Sequence, residues 1–223
     1  EAADADADDV EIRVNLFETA RAAGDMQQMK ALIDEIKQIA GPDSPTSKLV
    51  EATRLLWAVQ KDEAPAAALT SARRLLREAR EERPNWHPLS LMMAEVDLAE
   101  GNVDAAIEQF QLAIEQGPPM PGAVRRLVEL LRSRGRADEA RDAMRGLADR
   151  GAGSLRDDRL LSQAEAAAGN MQDAIALARK TADQSERAGD HLWLAGLLNV
   201  AGQQDEALES YRRAVELEPS NQR

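Results

Sequence analysis

The sequence contains no cysteine, few aromatic residues and no long apolar run. Without cysteine there can be no disulfides, thiolate nucleophiles or Cys-ligated metals, and reducing and oxidising compartments are equally compatible with the chain. Aromatic residues are only 3% of 223 residues, but apolar residues are 43%, so a core must come mainly from aliphatic side chains. No apolar run approaches the roughly 18 residues of a membrane span. Direct membrane insertion is therefore not expected.

Basic residues are outnumbered by acidic ones, 28 to 40, and the formal net charge is −12. Residues 1–9, EAADADADD, carry five acidic residues and no basic one. Such low-complexity acidic segments lack the apolar surface needed to fold, so we predict a disordered linker here. A strongly negative chain also disfavours nucleic acid as a partner, because phosphate binding needs clustered basic residues.

A pattern of glycine, alanine, a large apolar residue and a further small or apolar residue recurs about every 34 residues. A fixed period of this size indicates stacked copies of one supersecondary unit. The four clearest copies are Gly101-Ala106-Phe110-Ala113, Gly135-Ala140-Met144-Leu147, Gly169-Ala174-Ala178-Thr181 and Gly202-Ala207-Tyr211-Ala214.

Two weaker copies, beginning at Gly24 and Ala67, extend the pattern towards the start of the chain. Each unit contains two stretches with helical apolar periodicity separated by a break, and no stretch shows the alternation of a strand. The second unit is longer, and its extra residues fall either at 41–47 or around 62–65. We therefore predict a repeat array over 10–223, with units at about 10–43, 44–86, 87–120, 121–154, 155–187 and 188–221.

These residues resemble the tetratricopeptide repeat. The nearest matches are GQQDEALESYRRAVELEP, 202–219, and GNVDAAIEQFQLAIEQGP, 101–118. The resemblance implies an all-α fold, a right-handed α-solenoid of about six antiparallel helix pairs. It also implies a tryptophan and a tyrosine in the first helix of each unit. Those two positions are instead filled by Ser90 and Asp97, Val124 and Leu131, Asp158 and Glu165, and His191 and Leu198.

No arrangement of residues in the sequence indicates catalysis. The two histidines, His87 and His191, are about 100 residues apart and have no cysteine partners, so the sequence does not indicate a metal site. No nucleophile or phosphate-binding motif is present. Trp57, Trp86 and Trp193 suit either structural packing or ligand contact, and packing is the commoner role in helical repeats. We predict no enzyme activity, no metal and no cofactor.

The resemblance implies that the first helix of each unit lines a concave groove that binds a peptide or protein. Ten residues are predicted on that face: Leu91, Glu95 and Leu98 in the third unit, Arg125, Glu129 and Arg132 in the fourth, Arg156, Arg159 and Gln163 in the fifth, and Asn199 in the sixth.

Four of these residues are arginines in an acidic protein. Arginine binds carboxylates through a fork of donors, so one hypothesis is an acidic or carboxylate-terminated peptide at the junction of the fourth and fifth units. The other hypothesis is that these arginines pair with Glu129, Asp157 or Asp158 and form solvated surface.

The sequence thus predicts a protein-interaction scaffold, expected to be a segment of a larger bacterial protein. It does not fix the compartment, and the cytoplasm and the periplasm both stay open. Two alternatives stay open: a repeat domain attached to a catalytic domain elsewhere, and a self-assembly module. The second has a physical motive, because Leu208, Tyr211 and Val215 on the last helix lack a following helix to cover them. Repeat arrays normally end in a polar cap. Self-association through this uncapped C-terminal unit is a further expectation.

Overall fold

The computed structural model describes residues 10–218, and among them it contains twelve α-helices and no strand. This confirms the predicted all-α helical-repeat fold class. The predicted acidic linker, 1–9, lies outside the described residues. The helices are α1 Val10–Ala23, α2 Met26–Ala40, α3 Pro45–Gln60, α4 Ala68–Glu82, α5 His87–Ala99, α6 Val103–Gln116, α7 Pro121–Ser133, α8 Ala137–Asp149, α9 Leu155–Ala167, α10 Met171–Asp183, α11 Ala188–Val200 and α12 Gln204–Leu217.

The chain divides between Gly117 and Pro118 into two compact units. Unit 1 contains α1 to α6 and unit 2 contains α7 to α12. Within each unit, successive helices pack as pairs, and each pair contacts the next. The odd-numbered helix of each pair is called its first helix below, and the even-numbered helix its second.

The turn inside a pair is built in the same way in both units. Gly169 has a φ of +87°, a left-handed conformation that closes a helix without a Cβ penalty. The next residue, Asn170, donates its backbone N–H to the carbonyl oxygen of Glu165 at 2.8 Å. The equivalent bond in unit 1 joins Asn102 to Asp97, also at 2.8 Å. The recurring glycine therefore marks the reversal between the two helices of a pair.

The recurring alanine fixes how closely the two helices of a pair approach. Ala72, Ala106, Ala140 and Ala174 are each 0% exposed, and all lie in second helices that pack against their first helices. A single methyl group at this position allows two helix backbones to come close together, and nothing larger fits without displacement.

The second pair is the longest because of its internal connection. Residues 61–67 join α3 to α4, whereas residues 100–102 join α5 to α6. The connection from α2 to α3, residues 41–44, is as short as those at 83–86 and 117–120, so the extra loop residues lie at 61–67 and not at 41–47. Asp62 in that longer connection has a φ of 59°.

Candidate functional site

Six of the predicted site residues lie on the first helices of neighbouring pairs in unit 2. They are called the arginine face: Arg125, Glu129 and Arg132 on α7, and Arg156, Arg159 and Gln163 on α9. Within each helix the spacings are three and four residues, which place the side chains on one side of the helix. Two contacts link α7 to α9. Arg125 near the start of α7 contacts Asp157 near the start of α9, and Arg132 near the end of α7 contacts Gln163 in the second half of α9. The two helices are therefore parallel neighbours.

Arg125 is held by a buried carboxylate on the next first helix. Its Nη1 atom donates to Oδ1 of Asp157 at 2.7 Å. The second oxygen of Asp157 accepts the backbone N–H of Ser154 at 2.9 Å and the Ser154 hydroxyl at 2.6 Å. Burial disfavours the charged form of Asp157, but the hydrogen bonds from Ser154 and Arg125 outweigh it and hold the pKa of Asp157 below its ordinary value.

The same arrangement is repeated one pair further on. Arg159 on α9 donates through Nη1 to Oδ1 of Asp190 on α11, and the hydroxyl of Ser185 donates to the other oxygen of Asp190 at 2.6 Å. Asp190 is only 4% exposed. Two consecutive junctions between first helices are thus made by an arginine, a buried aspartate and a serine. We refer to these contacts as the arginine–aspartate pairs.

Asp157→Asn should remove a pH-dependent part of the stability. Because the folded-state pKa of Asp157 is lowered, its contribution is complete above the unfolded-state pKa of about 4 and is lost as the pH falls below that value. The free energy of unfolding, measured by urea denaturation, should therefore differ most between wild type and variant above about pH 5 and least near about pH 2. Asp34→Asn, at an exposed position on α2, is the control and should change stability little throughout. A difference for Asp157→Asn that stays constant with pH would contradict the assignment.

Arg132 and Arg156 are in a different situation from Arg125 and Arg159. Both are exposed, and neither has a carboxylate partner among residues 10–218. Arg132 donates to the side-chain oxygen of Gln163 at 3.2 Å, and Glu129 accepts from Arg126 at 3.4 Å. The arginine face therefore combines two neutralised arginines with two whose donors are available.

The remaining predicted site residues lie elsewhere. Leu91, Glu95 and Leu98 are half-buried on α5 and belong to unit 1. Asn199 is exposed near the end of α11 in unit 2. The ten-residue site is thus divided between the two compact units, and six of its members form the arginine face.

The tryptophans serve packing. Trp57 is 8% exposed in the apolar core around α1 to α3, and Trp86 and Trp193 pack against the edges of other cores. The indole N–H of Trp193 donates to the hydroxyl of Ser162 at 2.9 Å. Within the described part of the chain, no group of three or more His, Asp or Glu side chains is arranged to hold a metal ion. No helix there is long and apolar enough to cross a bilayer.

A depression of about 690 Å³ in unit 2 lies away from the arginine face, between the last three helices. Its walls are mainly charged, and two of the lining residues, Arg179 and Glu206, form an ion pair at 2.6 Å. The wall also includes His191 and the exposed side of Leu208. The arrangement is a groove between packed helices and contains no constellation suited to catalysis.

The comparison with protein families decides the family. A family model described as tetratricopeptide repeat matches residues 43–220, which is most of the chain. The chain belongs to the tetratricopeptide repeat family. Proteins of this family serve generally as non-catalytic protein-interaction scaffolds. No curated protein sequence matches this tetratricopeptide repeat chain.

Several solved structures share the fold. MamA from Desulfovibrio magneticus RS-1 is 19% identical with a TM-score of 0.60, and the match covers 79% of this chain and 98% of MamA. YrrB, described as a TPR protein with an unusual peptide-binding site, is 14% identical with a TM-score of 0.66, over 85% and 93% of the two chains. PilF from Pseudomonas aeruginosa is 12% identical with a TM-score of 0.64, over 95% and 93%. At these identities the likeness concerns the fold alone.

Two buried acidic residues occupy the position where tetratricopeptide repeats usually carry a tyrosine. Asp97 accepts a hydrogen bond from Arg73, and Glu165 accepts from Arg145 and, at 2.8 Å, from Asn170. Each arginine comes from the second helix of the preceding pair. The sequence analysis identified the two unusual residues but did not predict their arginine partners. The only indication of these partners in the sequence is an arginine on the preceding helix.

Proposed function

We propose that this chain is a non-catalytic scaffold that binds an acidic or carboxylate-terminated peptide segment on the arginine face of unit 2. One observation carries the proposal. Arg132 and Arg156 are exposed on neighbouring parallel helices without carboxylate partners among the described residues, while Arg125 and Arg159 beside them are already paired with buried aspartates.

The four arginines have two different roles, and each role has a chemical basis. Guanidinium groups bind carboxylates through two parallel N–H donors, so Arg132 and Arg156 suit the carboxylates of a peptide. Arg125 and Arg159 are held in place by Asp157 and Asp190, and they order the two helices that carry the exposed arginines. Gln163, which accepts from Arg132, also carries an amide that can donate to a peptide carbonyl.

The family and the fold support a peptide as the ligand. Tetratricopeptide repeats are protein-interaction scaffolds, and YrrB, whose fold is similar, is described as having a peptide-binding site. The arginine face carries four arginines and one glutamate, although the whole chain has a net charge of −12. This local excess of basic residues favours an acidic segment over a basic one as the ligand.

The test compares two arrays of short labelled peptides. One array has acidic C-terminal residues and free carboxylates, and the other has the same peptides with Gln and Asn in place of Glu and Asp and with amidated ends. Wild-type protein should bind the acidic array preferentially, measured by fluorescence anisotropy. Arg132→Ala/Arg156→Ala should weaken that binding at least about tenfold and reduce its dependence on salt.

The matched control is Arg77→Ala/Arg212→Ala, which removes the same charge from two exposed arginines outside the arginine face. It should leave affinity and salt dependence close to those of the wild type. Equal weakening by both double variants would show that only net charge matters. Absence of any preference for the acidic array would overturn the proposal.

A further inference from the structure

Arg80 on α4 is a half-buried arginine that has no carboxylate partner among residues 10–218. Its Nη2 atom donates to the side-chain oxygen of Gln109 on α6 at 2.7 Å and to the hydroxyl of Ser90 on α5 at 3.4 Å. Both acceptors are neutral. The Nε atom of Arg80 is buried and has no hydrogen-bond partner in the described part of the chain. Unit 1 therefore holds a guanidinium whose charge is not balanced by a bonded carboxylate.

The carboxylate that attracts Arg80 is already bound by a different arginine. Burial lowers the pKa of Arg80 below its ordinary value, and the attraction of Asp97 opposes this only in part. Asp97 accepts its hydrogen bond from Arg73, which also pairs with Glu100 at 2.6 Å. The cost of desolvating Arg80 is therefore not offset within the chain.

The position of Arg80 in its helix differs from the equivalent positions in the other second helices. Arg80 stands eight residues after Ala72, the recurring small residue of its pair. At the same distance, the later second helices carry an aliphatic residue: Ile114, Ala148, Ala182 and Val215. In α2 the equivalent residue is Lys37, which pairs with Glu51 on α3 at 3.3 Å. The repeat pattern thus requires no charge at this position, and the other charge found there is neutralised.

The groups around Arg80 provide hydrogen-bond donors without negative charge. The Nη1 atom of Arg80 is not buried and makes no hydrogen bond within residues 10–218. The amide nitrogen of Gln109 is a further donor, and it lies close by because the oxygen of the same amide is bonded to Nη2. The side-chain oxygen of Gln116 is 3.5 Å from the Ser90 hydroxyl and extends this neutral polar surface. We call these four residues, Arg80, Ser90, Gln109 and Gln116, the Arg80 site.

The surroundings of the Arg80 site limit the charge of an anion that binds there. Residues 87–116, which form α5 and α6, contain six acidic residues and no lysine or arginine. One guanidinium balances one negative charge. A phosphate group carries about −1.5 to −2 near pH 7, so its excess charge would be repelled by these acidic residues. A carboxylate carries one negative charge and matches the planar N–H donors of a guanidinium.

From these contacts we infer that the Arg80 site binds a single carboxylate group through Nη1 of Arg80 and the amide nitrogen of Gln109. An acidic side chain of a partner protein and a small free acid both present this group, and the experiments below distinguish them. The Arg80 site lies in unit 1 and the arginine face lies in unit 2, so the inference is independent of the proposed function and each can fail without the other.

Nuclear magnetic resonance of chain 1–223, labelled with nitrogen-15, tests the inference at Arg80 itself. The Nε–H signal of Arg80 is identified by its absence from Arg80→Met. Acetate that replaces chloride at constant ionic strength should shift this signal with a saturable dependence, half complete at about 10 mM. Bromide that replaces chloride in the same way should leave the signal in place. A shift that does not saturate, or an equal shift with bromide, would overturn the inference.

Two variants that retain Arg80 test which groups hold the carboxylate. Gln109→Met removes the amide donor and should weaken acetate binding at least about threefold. Arg77→Ala is the matched control, because Arg77 is an exposed arginine one turn earlier on α4, and it should bind acetate as the wild type does. If Arg77→Ala weakens binding and Gln109→Met does not, acetate responds to the general charge of α4 and the assignment is wrong.

Urea denaturation distinguishes a binding role of Arg80 from a purely structural one. Acetate at about ten times its half-saturating concentration should raise the urea midpoint of the wild type, because it binds only the folded state, and should leave that of Arg80→Met unchanged. Without acetate, Arg80→Met should be no less stable than the wild type, since it removes an unbalanced, half-buried charge. A wild type that acetate does not stabilise, together with a less stable Arg80→Met, would make the role of Arg80 structural and the inference wrong.

Further ligands identify the class of anion and its source. Inorganic phosphate should bind more weakly than acetate, and tighter binding of phosphate would contradict the choice of a carboxylate. A blocked tripeptide with a central glutamate should bind, whereas the same peptide with glutamine should not. Tighter binding of the glutamate peptide than of acetate would identify a protein side chain as the source, and equal or weaker binding would identify a small free acid. Equal binding of the glutamate and glutamine peptides would overturn the inference.

Discussion

Replacing Arg73 with alanine should lower the free energy of unfolding of unit 1 by about 3 kcal/mol. Arg73 on α4 donates to Asp97, which is 3% exposed on α5, and to Glu100 at 2.6 Å. Burial opposes the charge of Arg73, but its hydrogen bonds to Glu100 and Asp97 raise its pKa above the ordinary value. Without the guanidinium, the Asp97 carboxylate would stay buried and lose its hydrogen-bonded counter-ion, keeping only the electrostatic attraction of Arg80. Urea denaturation followed by circular dichroism measures the loss.

The matched control replaces both partners. Leu131 and Leu198 stand at the position equivalent to Asp97, four residues before their glycines, and both are buried. Arg73→Met/Asp97→Leu should therefore be closer to the wild type in stability than Arg73→Ala is, because no buried carboxylate remains and the volume is filled. A double variant as unstable as Arg73→Ala would show that packing, and not the uncompensated carboxylate, explains the loss.

Ala140→Leu should destabilise unit 2 by about 2 kcal/mol. Ala140 is 0% exposed on α8 where that helix packs against α7, so three additional carbon atoms have no space and must push the two helices apart. The measurement is again urea denaturation, with the change in midpoint at constant slope.

Ala148→Leu is the control on the same helix, at an exposed position. It adds the same atoms without entering the contact between α7 and α8, so its effect should be within about 0.5 kcal/mol of zero. If the two substitutions cost the same, the close approach of the helices would not depend on Ala140.

The helices could be predicted from the sequence because the information is local and repeated. Gly169 and its counterparts mark each reversal of the chain between two helices, and Ala140 and its counterparts mark each close contact between two helices. Because the pattern occurs in six copies, each copy supports the same prediction. The division between Gly117 and Pro118 was not predicted. The pattern of glycine and alanine reports packing within pairs, and it continues through 101–118 and beyond without a change that would mark this division.

The arginine face was only partly predictable. The resemblance correctly indicated which residues share the first helices of unit 2, and the hypothesis that some arginines pair with Asp157 is confirmed for Arg125. The partnership of Arg159 with Asp190 was missed. Arg159 and Asp190 are separated in the sequence by two residues fewer than one repeat. The same relation holds between Arg125 and Asp157. That offset becomes meaningful only when two first helices are known to lie side by side and parallel.

The arginine–aspartate pairs have a consequence for how unit 2 opens. Asp157 and Asp190 are buried in one pair of helices but take their arginine from the preceding pair. If one pair unfolded alone, its neighbour would retain a buried carboxylate without a counter-ion, which raises the free energy of every partly open state. Nearest-neighbour coupling of this kind sets the cooperativity of a repeat array. Amide hydrogens in α7, α9 and α11 should therefore exchange with similar protection, as one cooperative unit.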